Sequence, residues 1–135
     1  MAGVIWFVQR VHYPLFRRAN RDDFVAFALE HQRRTGPVVA PGMLAELLTG
    51  VALVFVVPEG VPAWTAWAGF GLILVNALST AFVQMPLHEK LARDGYDARR
   101  IDLLVRTNWL RTVAWTARAL LTTAMLWCHA QPASG

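Results

Sequence analysis

Four side chains in this sequence carry the chemistry of a site: His12, His31, His88 and Glu46. Imidazole and carboxylate donors together suit iron, copper or zinc, and the same groups serve as general acids and bases. Their spacing groups them. Gln9 and His12 stand three residues apart and Gln84 and His88 four apart, so on helices each pair shares a face. His31 and Asn108 hold equivalent places ahead of later apolar segments, which draws three of the four histidines toward one end of the molecule. No tight ligand motif of the His-x-x-x-His kind accompanies them. A transition metal on His12, His31 and His88 therefore competes with a simpler reading, in which histidines at a membrane interface hydrogen-bond nearby carbonyls, and His129 fits the simpler one.

Glu46 lies eleven residues beyond Thr35, about 16 Å along an unbroken helix, inside an otherwise uncharged run. A charge in a membrane span costs about 2.5–3.5 kcal/mol on insertion scales, so this carboxylate is expected to face the interior and to have a partner. Arg118 is the expected one. The pair would then be either a proton-carrying or ligand-orienting device, or a buried ion pair that fixes helix register. Trp115 is placed to stack on an aromatic ligand or to fill core. Gln9, Gln84 and Asn108 complete the set as groups that contact a cofactor or join helices by hydrogen bonds, a role Asn76, Ser79 and Thr80 share.

The elements that must position these residues are written twice. Val8-Gln9-Arg10-Val11-His12-Tyr13-Pro14-Leu15-Phe16 returns in loosened form as Val83-Gln84-Met85-Pro86-Leu87-His88-Glu89-Lys90-Leu91, at offsets of 75 to 76. Phe24, Phe27, Ala28, His31, Arg34 and Thr35 recur 77 residues later as Ile101, Leu104, Val105, Asn108, Arg111 and Thr112. Fixed-offset similarity marks a duplicated structural unit, with repeat one over about residues 1–57 and repeat two over about 64–128.

Each copy carries apolar segments long enough to matter. Val38 to Val57 is 20 residues with Glu46 as its one charge, and Trp64 to Leu87 is 24 residues with none. About 20 helical residues cross about 30 Å of hydrocarbon. A third span runs from about Trp109 to Trp127, with Arg111 at its edge and Arg118 inside. The first, Ala2 to Phe16, covers only about 22 Å, so either it thins the bilayer locally or the chain extends further upstream. It lacks the basic flank and the small-residue cleavage site of a signal peptide. Apolar residues reach 56% and charged residues fall to 16%, below the roughly 25% of soluble chains.

Orientation follows from the cations. Arg17, Arg18, Arg21, Arg33 and Arg34 lie between the first two spans, and Lys90, Arg93, Arg99, Arg100, Arg106 and Arg111 between the last two. The Pro58–Ala63 connection and the tail after Trp127 hold none, so the basic loops are expected in the cytoplasm and both termini outside. The pI near 10.2 then reflects an anionic leaflet rather than nucleic acid, since no stacking aromatics are interleaved with the basic residues. Twelve Arg against one Lys suggests a high-GC bacterial genome. One cysteine, Cys128, excludes an intrachain disulfide. No glycine-rich phosphate loop or nucleophile elbow is present, which removes the common soluble enzyme classes.

Each basic loop is expected to hold a short amphipathic helix at the interface. Asn20 caps the first and Asp97 opens the second, with turns near Pro37 and Trp109 leading into the next span. Asp94-Gly95 reads as a turn, and residues 129–135 as a disordered tail.

One further signal is the string Trp6-x-x-Gln9-x-x-His12-Tyr13-Pro14-Leu15-Phe16, then His31, Arg34, Pro37, Met43 and Glu46, then Gln84-x-Pro86-x-His88, then Asn108-Trp109-Leu110-Arg111-Thr112 with Trp115. Over nearly the whole chain it resembles small bacterial four-helix membrane proteins, which are distantly similar to the anthrone-oxygenase-like membrane family. That resemblance implies an oxygenase or redox activity on polycyclic, quinone-forming substrates. The expected fold is an all-α integral membrane protein, a four-transmembrane-helix bundle of two parallel two-helix repeats in the bacterial inner membrane. Three functional classes stay open: an enzyme acting on an apolar aromatic or quinone-like ligand, a carrier or receptor for a small ligand, and a structural subunit, the last two compatible with a homo-oligomer.

Overall fold

The computed structural model describes residues 1–130 and is all-helical. Four helices run through it. Helix α1 spans residues 2–18, α2 is Phe24–Phe55, α3 is Ala63–Asp94 and α4 is Ala98–Ala130. Two of the four, α2 and α3, are long and apolar enough to cross a membrane. At 33 residues α4 is as long, but it carries Arg111 and Arg118 within its apolar stretch.

Proline shapes α1 and α3 in the same way. In α1 the α-helix over Ala2–Phe7 widens into a π turn at Val8–His12 before resuming at Tyr13–Leu15 and closing in a 3₁₀ turn at Phe16–Arg18. Pro14 lacks an N–H, and its ring crowds the carbonyl four residues back, that of Arg10; a wider turn moves that carbonyl aside. Helix α3 repeats the device, with a π turn at Thr80–Gln84 ahead of Pro86. Both turns hold a buried glutamine, Gln9 or Gln84.

The interfacial helices of the basic loops are not separate elements. Helix α2 runs unbroken through Pro37 and Pro41, and α4 passes Trp109 without a turn. The two prolines are four residues apart, so the bonds they delete line up on one side of α2 and the remaining ladder carries the helix. Nothing near Trp109 breaks a helix. Phe24, Ala28, Ile101 and Leu104 face inward rather than lying along an interface: with Tyr13, Phe16, Leu87 and Leu91 they form the packed core at the end of the molecule that bears the basic residues. Asn20 does not cap α2. Its Oδ1 accepts from the Asp22 amide at 3.2 Å, a local turn, and the helix begins after Asp23. Asp97 does open α4, its Oδ1 accepting from the amides of Arg99 at 2.9 Å and Arg100 at 3.1 Å. Gly95 makes the turn before it, at φ 87°. His129 and Ala130 belong to α4, while residues 131–135 of the expected tail lie outside the described residues.

Away from that core the surface is apolar. Leu44, Leu48, Phe55, Trp64, Trp67, Phe82, Leu120 and Trp127 are all exposed. Only 6% of the most apolar stretch of α2 is buried, where the core helix of a soluble protein would be mostly buried. Helix α3 packs along both α4 and α2, and α1 rests on α4. Between α1 and α2 contact is sparse, and the cavity described next opens there.

Candidate functional site

All four helices line one cavity of about 410 Å³. Within it the three histidines meet. His12 Nε2 and His31 Nδ1 are 2.9 Å apart, and Thr35 Oγ1 lies 3.1 Å from the same His31 nitrogen. The His31 and His88 rings are stacked, 5.1 Å between centroids and 28° between planes. His88 Nε2 is 3.0 Å from the Tyr13 hydroxyl. His12 and His31 come together as the repeat suggests, but His88 takes Tyr13 rather than Asn108.

A metal bound by imidazole needs in-plane lone pairs converging at about 2.0–2.1 Å. Here the histidines turn their nitrogens to one another and to Tyr13, and two of the rings present faces. Among the described residues no group of three His, Cys, Asp or Glu side chains is disposed to hold a metal ion. The three imidazoles thus form a hydrogen-bonded stack with Tyr13 and Thr35.

Asn108 belongs to a different network. Its Nδ2 donates to Gln9 Oε1 at 2.9 Å, Thr112 Oγ1 donates to the same oxygen at 3.3 Å, and Gln9 Nε2 donates to the Val105 carbonyl at 3.1 Å. This ties α1 to α4 behind the cavity wall, and neither Gln9 nor Asn108 lines it. Gln84 does line it. Its Nε2 donates to Thr107 Oγ1 at 3.0 Å, while its Oε1, in a side chain only 2% exposed, has no partner.

Glu46 and Arg118 are not a pair. Glu46 Oε2 accepts from Trp115 Nε1 at 2.6 Å, and Oε1 lies 3.8 Å from the Met1 amine. The backbones of α2 and α4 rarely approach each other, since α3 and the cavity stand between them, and at Glu46 the long indole bridges the gap. Arg118 is turned toward α3 instead. Its Nη1 comes within 3.4 Å of where a Cβ on Gly69 would stand, so the missing side chain makes room for the guanidinium. Arg118 does not line the cavity, which removes it from the cofactor-contacting set. Trp115 is both buried, at 2% exposure, and part of the cavity wall.

Two functional residues were missed as such. Arg111 reads in sequence as one more loop cation, yet it is 5% exposed and lines the cavity. Its Nη1 donates to Asn108 Oδ1 at 3.1 Å, its cation sits 5.0 Å from the Trp115 ring centroid, and its Nε has no partner. Among the described residues no carboxylate pairs with it. Tyr13 is the other. The repeat gave no sign of Arg111, which aligns with the exposed Arg34, whereas in the ungapped register Tyr13 takes the place of His88.

The cavity thus joins an apolar wall of Ile5, Val8, Val39 and Met43 to an orphaned acceptor on Gln84, an orphaned donor on Arg111 and a histidine stack. Such a site can hold the polar end of a small apolar molecule and trade protons with it. Compared with protein families, curated proteins and solved structures, the chain matches none.

Proposed function

We propose that this chain is a multi-pass membrane protein that binds a small apolar ligand, aromatic or quinone-like, between its four helices. The observation that carries the reading is that Gln84 Oε1 and Arg111 Nε, both buried and both on residues of the cavity wall, lack partners among the described residues. An unmet buried polar group costs about 1–3 kcal/mol, and a ligand supplying one donor and one acceptor would remove both costs. A hydroquinone or phenol presents both; a quinone carbonyl answers Arg111. Trp115 and the apolar wall suit the ring. Enzyme and carrier readings share this binding step, and the redox reading adds the Tyr13–His88 and His12–His31 pairs as proton donors and acceptors. It also fits the resemblance to anthrone-oxygenase-like proteins.

Four spans with both termini outside the cytoplasm, in a bacterial inner membrane, complete the proposal. What supports it is the apolar surface of α2 and α3 and the grouping of cations at one end. The paired π turns of α1 and α3 and the matched lengths of α2 and α4, 32 and 33 residues, favour the two-repeat architecture. The test is binding of menadione and its hydroquinone to the purified protein in nanodiscs. Gln84→Leu should weaken the hydroquinone by roughly 3- to 10-fold, the worth of one net hydrogen bond, and leave menadione nearly unchanged. No binding of either form to the wild type would end the reading.

A further inference from the structure

The seam between α1 and α2 is a framed opening. At one end His12 and His31 close it, 2.9 Å apart; at the other Met1 reaches α2, its amine 3.8 Å from Glu46. Between these two contacts lie ten residues of α1 and fourteen of α2, about 16 Å of unpaired edge along α1. The rims are mostly apolar: Val4 and Val8 on α1, Gly36, Val39, Ala40 and Met43 on α2, with Gln32 and Thr35 the polar residues beside His31. No polar side chain from either helix bridges the gap between the two closures among the described residues.

A helix pair that meant to exclude lipid would fill such a seam with interlocking side chains. Here a Cβ on Gly36 would meet nothing within 4 Å, so there is open space at the rim itself. The buried polar atoms left without partners among the described residues stand at the back, on α3 and α4, in Gln84 and Arg111. From rim to back the surface therefore passes from apolar to polar.

We propose that this seam is a lateral portal, and that the ligand is a membrane-resident lipid whose polar ring enters from the bilayer while an alkyl or isoprenoid tail stays in the opening. The proposal rests on the ligand reading above and narrows it to lipids that never leave the membrane. A tail that remains in contact with lipid gains and loses little, because lipid and protein are about equally apolar. A closed cavity would have to reject it.

The experiment uses the full chain in nanodiscs and three probes: menadione, a naphthoquinone with a ten-carbon tail, and a sulfonated naphthoquinone that cannot enter the bilayer. With concentrations expressed in the lipid phase, the wild type should bind the first two within about threefold of each other and the sulfonate not at all. Gly36→Trp places bulk at the rim and should weaken the tailed probe by roughly tenfold or more while sparing menadione. Ala40→Phe, one turn further along the same rim, gives the same reading should Gly36→Trp fail to fold. Rejection of the tailed probe by the wild type, tight binding of the sulfonate, or equal loss of both quinones in the rim variants would overturn the portal. Absence of any quinone binding to the wild type would instead overturn the ligand reading on which the portal depends.

Discussion

Arg111→Met separates a cation kept for the fold from one kept for a ligand. Methionine matches much of the length of arginine and removes the charge. Three contributions change on folding. The hydrogen bond from Nη1 to Asn108 Oδ1, 3.1 Å long, is lost, at about 1.5–3 kcal/mol for a bond from a charged group. The cation over the Trp115 ring, 5.0 Å from its centroid, is lost as well, at about 0.5–2 kcal/mol. Against these, a buried charge with no carboxylate partner no longer has to leave water, which returns several kcal/mol. Losses of about 2–5 kcal/mol meet a gain of about 3, so the variant should lie within about 2 kcal/mol of the wild type. Ligand binding has no such offset. Losing the Nε–H donor, unpaired among the described residues, should weaken menadione by roughly 10- to 150-fold, the equivalent of a charged hydrogen bond. Thermal unfolding in detergent reads the first quantity and equilibrium dialysis of menadione the second. A folding loss above about 3 kcal/mol with menadione affinity unchanged would show that Arg111 serves the bundle, as expected on breaking a buried pair, and would refute the reasoning.

The remaining predictions concern topology, coupling and packing. A phosphatase reporter fused after Gly135 should be active only where that end is exported, and activity in the cytoplasm would overturn the proposed orientation. Glu46→Gln and Trp115→Phe should couple by about 0.6–1.7 kcal/mol in a double-mutant cycle, whereas Glu46→Gln and Arg118→Gln should be additive within about 0.5 kcal/mol; the reverse pattern would restore Arg118 as the partner. Gly50→Ala drives a Cβ into Ile73 Cδ1 and should destabilise by about 1–3 kcal/mol, most of it recovered by Ile73→Val, which removes that atom.

How far the sequence could be read depended on how local each feature was. Helix content follows from apolar runs and their period, so the four helices were legible, as was the turn at Asp94-Gly95. The breaks expected at Pro37 and Trp109 were not there, because tolerance of proline inside a long helix depends on what surrounds the freed carbonyls, not on the proline. Histidine convergence was legible through the repeat, which brings His12 to His31. Partner choice was not. It turns on which helices are neighbours: α4 meets α1 and α3, so Asn108 takes Gln9, Arg118 takes the space beside Gly69, and Glu46 is left to Trp115. Arg111 escaped notice for a related reason. A run of loop arginines gives no sign that one of them belongs to a helix whose inward face starts there.

The widened turns at Val8–His12 and Thr80–Gln84 bear on how this chain tolerates insertion and deletion. A π turn holds roughly one residue more than the α turn it replaces, so each acts as a stored insertion within a helix that otherwise keeps step. Deleting a single residue there would let the turn relax to α with the residues beyond it still in phase, whereas relaxing the turn to α at unchanged length would swing everything beyond it by about 100°. In α3 that rotation would carry His88 off Tyr13 while leaving the helix intact, its length almost unchanged and its apolar character untouched. The two turns are therefore phase-setting devices. A one-residue gap opposite either of them would be expected to mark a plain α-helix with the same side chains toward the cavity, whereas a one-residue gap elsewhere in α1 or α3 would mark a rearranged site.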